Sequence, residues 1–476
     1  MSKKLTGREK AAYGLGAVGK DMVYMLSASY VLYYFQDILG VSAVAMGAIL
    51  LGARVFDAFN DPIMGIIVAK TKTRWGKFRP WLMIGTLTNA VVLFIMFCAP
   101  PDLSPAGLTA YAAITYIVWG VTYTMMDIPY WSMIPAFTEG GKEREGLSAL
   151  ARSCAGVGSA IITVVTMVAV HFLGGIFGGA DASAKTVELL GFRYFALIVA
   201  ILFVIFITIT CIGIKEKSTV DMETVSVGQM FRALIQNDQA MTVVMAIVLV
   251  NCSIYITSNL VIYFFKYDFG GIGWYNSYTV FNIFGGAIQI LAMMLFYPLL
   301  RMLISSIRIF YVSIGMAIAG YVSLLVLAST SMNSVYLLFI PAFFIFSANG
   351  MLSVLTTVFL ANTVEYGELK NNRRDESVIF SMQTFVVKLA SGLSAFIASI
   401  CLQIFSLNSD TTEAAQKVDF SVNVSDASRL GLRMTMTLIP MAGLAFAIIW
   451  FRRRYILTDA KIAEISEELQ KKQAAQ

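Results

Sequence analysis

Within one short stretch the chain places Arg54, Asp57, Asn60, Asp61 and Pro62 in otherwise apolar surroundings. If the stretch is helical, Asp57, Asn60 and Asp61 stand at i, i+3 and i+4 and share one face. Two carboxylates and an amide carbonyl are hard oxygen ligands, suited to a hard cation and not to zinc or copper. Carboxylates held this close repel each other unless a cation or a proton lies between them. The cluster therefore points to Na⁺, Li⁺ or H⁺ as a transported ion, with no cofactor implied. A plainer expectation stands beside it, in which these acids are satisfied by pairing with Arg54 or Lys388.

A second stripe carries Thr124 and Asp127 at i and i+3, with Trp131 one turn further. A carboxylate accepts two hydroxyl hydrogen bonds, and charge-assisted bonds are stronger than neutral ones. An aromatic face packs on the apolar face of a pyranose ring. Together these residues suggest sugar recognition, to which Lys20, Asp21 and Arg152 add donors and acceptors. Trp131 taken alone would equally suit an interfacial aromatic belt. In the second half, Lys388 is the residue that sequence places clearly inside an apolar run, with Thr384 four positions before it. As a coupling element it could bridge Asp57, Asp61 or Asp127 and respond to cation arrival.

What positions such residues is set by composition. Of 476 residues, 58% are hydrophobic and 13% charged, with a mean hydropathy of +0.74. Soluble domains run near a quarter charged. A soluble chain could not hide this much apolar surface, whereas a bilayer solvates it. Ionisable residues at membrane depth cost roughly +2.5 to +3.5 kcal/mol on insertion scales, so they face an interior and usually work. The opening residues are polar and basic, and the apolar stretch after them carries Lys20 and Asp21. That stretch is too long for a signal-peptide core and lacks a small-residue cleavage site, so it is expected to be the first span. Five dispersed cysteines, with no CxxC pair, imply neither a disulfide nor a metal framework. The net charge of +6 reads as cytoplasmic loop bias and not as nucleic-acid binding.

A span needs about 20 apolar residues. Apolar runs predict twelve spans, at 11–38, 44–69, 80–99, 108–135, 147–173, 192–214, 239–266, 272–300, 308–328, 333–362, 375–406 and 430–452. Basic residues crowd alternate loops: Lys70 to Arg79, Lys142 with Arg144, Lys215 with Lys217 and Arg232, Arg301 with Arg308, Lys370 to Arg374, and Arg452 to Arg454. The bias puts both termini in the cytoplasm. The connection 215–238 divides the spans six and six, the architecture of major-facilitator transporters. The expectation is an all-α membrane protein of two six-helix bundles, 1–214 and 239–452, with a cytoplasmic middle loop, 215–238, and a cytoplasmic tail, 453–476. Ser226 with Gln229 resembles a capping box opening a short helix. Ile462, Ile465 and Leu469 give the tail helical spacing.

The lone His171, near the end of the fifth span, reads as a capping or interfacial residue before a proton relay. The run Glu139, Lys142, Glu143, Arg144 and Glu145 reads as a solvated loop or a set of gating ion pairs. A membrane-embedded enzyme would need a nucleophile–base pair or a metal cluster, which one histidine and scattered cysteines do not supply. A receptor would normally carry a large attached soluble domain. An uncoupled facilitator would not need the paired acids.

Several linked motifs resemble a known family. They are Tyr13-Gly-Leu-Gly-Ala-Val-Gly19-Lys20-Asp21, Arg54-Val-Phe-Asp57-Ala-Phe-Asn60-Asp61-Pro62, Arg74-Trp-Gly-Lys-Phe-Arg-Pro80 and Trp119-Gly-Val-Thr-Tyr-Thr124-Met-Met-Asp127-Ile-Pro-Tyr-Trp131, with Thr363-Val-Glu365-Tyr-Gly-Glu368 and Gln383-Thr384-Phe-Val-Val-Lys388 further on. This set, strongest before residue 150, is similar to that of the glycoside–pentoside–hexuronide:cation symporters. The resemblance implies cation-coupled sugar uptake by alternating access across a bacterial cytoplasmic membrane. It implies a cation site at Asp57, Asn60, Asp61 and Thr124, sugar-binding residues at Lys20, Asp21, Asp127, Trp131 and Arg152, and a coupling lysine at Lys388. It implies a glycoside and a monovalent cation as partners, a galactoside such as melibiose or a related sugar being the nearest expectation, and function as a monomer. Three positions depart from the family pattern: Ser353 stands for a tryptophan, Ala28 for a tyrosine and Asn362 for an acid. The first two reshape the expected sugar pocket.

Overall fold

The computed structural model describes residues 5–138, 141–179, 181–216, 227–330, 332–371, 376–407 and 419–474. Among these residues the chain is helical in every regular element. In order the helices are α1 (Gly7–Leu32), α2 (Ala43–Lys70), α3 (Arg79–Met96), α4 (Pro105–Ser132), α5 (Ile134–Phe137), α6 (Gly141–Gly178), α7 (Ala184–Gly213) and α8 (Val227–Gln236). They continue as α9 (Asp238–Tyr263), α10 (Trp274–Leu291), α11 (Tyr297–Leu303), α12 (Ser306–Thr330), α13 (Phe339–Asn371), α14 (Glu376–Ile404), α15 (Asp426–Arg454) and α16 (Asp459–Ala474). Wider π turns extend α1 over Tyr33–Ile38 and α9 over Phe264–Phe269, and join α10 to α11 over Ala292–Phe296.

Ten of the described helical stretches are long and apolar enough to cross a membrane. They correspond to ten of the twelve predicted spans. The other two are α1, of 26 residues, and α4, of 28 residues, which have the length but carry many polar groups. Those are the helices that bear Lys20, Asp21, Thr124 and Asp127. Apolar side chains such as Ile114, Phe172 and Ile212 are exposed, as a lipid-covered surface requires.

The chain divides into two compact units. One comprises Met1–Thr224 with Gly271–Thr279 and Ser406–Val422. The other comprises Val225–Gly270, Val280–Phe405 and Asn423–Gln476. In the first unit α1 packs on α6 and α7, α3 lies between α4 and α7, and α2 packs on α4. In the second, α9 packs on α13, α14 and α15, and α12 on α13 and α15.

Caps mark the ends of several elements. Thr6 and Glu9 form a reciprocal capping box at the start of α1. At the start of α3 the carboxylate of Glu216 accepts hydrogen bonds from the backbone N–H groups of Lys77, Phe78 and Arg79 at 2.7, 3.0 and 3.1 Å. These are donors that a helix start leaves without partners, and a carboxylate also suits the positive end of the helix dipole.

The short helices expected from sequence in the middle loop and the tail correspond to α8 and α16. Ser226 lies outside the described residues. The apolar stripe Ile462, Ile465 and Leu469 on α16 joins the second unit's core, packed against α13. The tail helix is thus docked on its neighbour rather than free on the surface. The predicted sixth span begins eight residues later than α7, whose first turns hold Glu188 and Arg193.

Candidate functional site

Two polar groupings occur on α1, α2 and α4 of the first unit. The larger is centred on Lys20, whose side chain is buried. Its ammonium lies 2.8 Å from Asp127 Oδ1 and 3.3 Å from Asp21 Oδ1, and donates to the Tyr123 hydroxyl at 3.3 Å. Trp131 stands between two cations, with Lys20 Nζ 5.1 Å and the Arg152 guanidinium 5.0 Å from its ring centre. Both distances are within cation–π range. Arg152 is exposed on α6, and Asp21, Asp127 and Trp131 are half-buried. The five residues expected to face sugar are therefore brought together.

The frame beneath them is a reciprocal tyrosine pair. Tyr13 donates to the Tyr130 carbonyl at 2.5 Å, and Tyr130 to the Tyr13 carbonyl at 2.6 Å. Their rings stack at 4.4 Å. This ties α1 to α4 at the residue next to Trp131.

The smaller grouping lies on α2 and the middle of α4. Thr124 donates to Asp61 Oδ1 at 3.0 Å. Asp57 is buried, and Arg54 donates to its Oδ2 at 3.2 Å and to the Tyr116 hydroxyl at 3.0 Å. The pairing with Arg54 considered from sequence is thus present for Asp57, while Asp61 reaches Thr124. A Cβ on Gly120 would stand 3.3 Å from Asp57 Oδ1, so the absent side chain leaves that carboxylate its place beside α4. Asn60 Nδ2 is buried without a hydrogen-bond partner among the described residues. Amide oxygen and nitrogen exchange places by a half-turn, which would put a carbonyl oxygen where that nitrogen lies.

Prolines sit inside both helices, Pro62 next to Asp61 and Pro129 two residues after Asp127. Proline has no N–H, so each removes a helical hydrogen bond one turn back, at Ala58 and Met125. The site helices are thereby locally freed at the level of their chemistry.

Lys388 and Thr384 lie one turn apart on α14 in the second unit, with Lys388 half-buried and Thr384 exposed. Lys388 is not the one charge within the helices of that half, and the sequence expectation is corrected here. Lys266 and Asp268 are buried in the π turn that extends α9. Arg433 on α15 grips Asp268 through two bonds of 2.7 and 2.6 Å. These residues fall at the edges of hydropathy runs, where a charge reads as the start of a loop.

His171 Nδ1 donates to the Met167 carbonyl at 2.9 Å, its Nε2 lies 3.6 Å from Glu188, and its ring stacks on Tyr275 at 3.8 Å. Of the charge run, Glu139 lies outside the described residues, and the others belong to the start of α6. Ser353 turns its hydroxyl onto the Gly350 carbonyl at 2.7 Å. Arg54, Tyr116 and Tyr123 join the candidate site from structure. Of these only Arg54, a charge inside an apolar run, had a sequence signal.

Comparison with known proteins bears on this arrangement. A family model described as MFS/sugar transport protein matches residues 12–459. The chain belongs to this family. The resemblance to glycoside–pentoside–hexuronide:cation symporters holds within it. An uncharacterized symporter, YjmB, of Bacillus subtilis is 28% identical over 475 residues, covering 99% of this chain and 96% of that protein. A raffinose carrier protein of Pediococcus pentosaceus is also 28% identical, over 96% of this chain and 71% of its own length. For the fold, a bacterial homolog of the human lysosomal transporter Spinster, solved inward-facing and unoccupied, aligns with a TM-score of 0.67 at 12% identity. That alignment covers 96% of this chain and 97% of that one. The chain is a multi-pass membrane transporter of the sugar and glycoside cation symporter family, and not an enzyme.

Proposed function

We propose that this transporter couples inward movement of Na⁺, Li⁺ or H⁺ to uptake of a glycoside by alternating access, working as a monomer in a bacterial cytoplasmic membrane with both termini inside. The observation that carries the reading is the use of one helix for both groups. Thr124, 3.0 Å from Asp61, and Asp127, 2.8 Å from Lys20, stand one turn apart on α4. A change at one is passed to the other along the same helix.

In this reading Asp57, Asn60, Asp61 and Thr124 supply oxygens to the cation. Asp127 and Asp21 accept sugar hydroxyls, Lys20 and Arg152 donate, and the Trp131 face takes the apolar side of the ring. Lys388, with Thr384, answers the arrival of the cation. A galactoside such as melibiose or a related sugar is the substrate proposed, and a relative that carries raffinose supports that class.

The test is uptake into proteoliposomes over galactosides, glucosides, pentosides and uronides, with and without a Na⁺ gradient. Asp61→Cys should abolish cation dependence, and unchanged Na⁺ stimulation would sink the assignment. The Arg54–Asp57 pair favours a second reading. Because a guanidinium already accompanies Asp57, Asp61 alone would hold the coupled charge, as a proton. Uptake driven by a pH gradient and indifferent to Na⁺ would select it.

A further inference from the structure

Helix α3 carries none of the residues assigned to cation or sugar, yet it touches α4 at two points on either side of Thr124. Asn89 is fully buried. Its amide nitrogen donates to the Trp119 carbonyl and to the Thr122 hydroxyl, both at 2.9 Å. Thr122 passes its own hydrogen back to the Val118 carbonyl at 2.9 Å. One turn earlier on α3, Gly85 meets the α4 backbone directly. A Cβ there would stand 2.7 Å from Met126 N and 2.9 Å from the Met125 carbonyl carbon. Backbone cannot swing aside as a side chain can, so this separation is fixed by the absence of a methyl group.

The two contacts grip α4 at residues 119–122 and 125–126, on either side of Thr124. Gly120, inside the first grip, faces Asp57 Oδ1. Met125, inside the second, is the residue whose carbonyl Pro129 deprives of its helical donor. A helix loosened by proline at that level needs an outside reference to hold Thr124 at a fixed distance from α2.

We infer that Asn89 and Gly85 are positioning residues for cation binding, setting the register in which Thr124 and Gly120 face Asp61 and Asp57. The inference rests on the reading of Asp57, Asn60, Asp61 and Thr124 as the cation site. A space-filling asparagine would be replaced with little loss by leucine, which has the same branched set of four side-chain heavy atoms. A positioning one would not, because small displacements of binding groups are costly.

The experiment uses the full chain in proteoliposomes. It measures the Na⁺ concentration giving half-maximal sugar uptake, and the sugar dissociation constant at saturating Na⁺. Asn89→Leu should raise the first about 10-fold, as the loss of two buried hydrogen bonds near a ligand allows, and change the second less than about 2-fold. Thr122→Val, which keeps the bond to the Trp119 carbonyl, should raise the Na⁺ requirement about 3-fold. Gly85→Ala should act in the same direction as Asn89→Leu.

Thr124→Ala in the same assay separates the two layers of argument. If it leaves the Na⁺ requirement unchanged, the cation-site reading fails. If it raises the requirement while Asn89→Leu and Thr122→Val do not, the positioning inference alone fails. A fall in folded yield with an unaltered Na⁺ requirement also overturns it. Should Asn89→Leu not accumulate in the membrane, Thr122→Val decides.

Discussion

The Lys20 grouping and the Asp61 grouping share α4 but differ in the kinds of group they bring together. Around Lys20, two carboxylates, Asp21 and Asp127, meet two cations, Lys20 and Arg152, through contacts of 2.8 and 3.3 Å and through the ring of Trp131. On α2 and the middle of α4, two carboxylates, Asp57 and Asp61, share these helices with one guanidinium, Arg54, and a neutral hydroxyl, Thr124. The first set is matched within itself and suits a neutral polar ligand that exchanges hydrogen bonds. The second gathers carboxylate, hydroxyl and amide groups from two helices, a set of hard oxygens that suits a small cation. Donor chemistry thus separates two sites that sequence motif and helix alike run together.

The strongest way to break this comparison is Asp127→Ala. It leaves buried Lys20 with Asp21 alone and removes one of the two carboxylates proposed to accept sugar hydroxyls. Sugar affinity should fall by about 100-fold or more, read by titration of the purified protein at saturating Na⁺. Retained affinity would mean that the Lys20 grouping is structural.

Thr124→Val probes the other side with less force. Losing one hydroxyl bond to a carboxylate should raise the half-maximal Na⁺ concentration about 10-fold, while sugar affinity at saturating Na⁺ stays level. Equal loss in both measurements would show that the groupings are one site. The mildest change is Trp131→Phe. A smaller, weaker aromatic face between two cations should cost sugar affinity about 3-fold to 5-fold, with no shift in the Na⁺ requirement.

Sequence was most informative along helices and least across them. The i, i+3, i+4 spacing places Asp57, Asn60 and Asp61 on one face, and the structure shows what spacing cannot. Asp57 turns to Arg54 and Tyr116, while Asp61 reaches Thr124 on another helix. The Trp119–Trp131 motif holds the sugar-facing set, but the Tyr13–Tyr130 exchange that fixes it joins residues 117 positions apart. Asn89 escaped notice because one amide inside an apolar run makes no periodic pattern. Lys266 closes the predicted span 239–266 and Asp268 falls just past it, because hydropathy ends a span at a charge even where the helix continues through a π turn, and Arg433 lies in the first turn of the predicted span 430–452. The ten spans of high hydropathy were legible by the same measure that leaves α1 and α4 weakest.

The Glu216 carboxylate, closed on the first turn of α3 by three backbone N–H groups, has a mechanical consequence. It clamps one end of a beam whose middle bears on α4 through Gly85 and Asn89. A beam held at one end and loaded at its middle resists tilting, so α3 and α4 travel as one stiff member. The give in this part of the first unit is then left to α2, whose ties to that member at the site are the Asp61–Thr124 contact and the Arg54–Tyr116 bond.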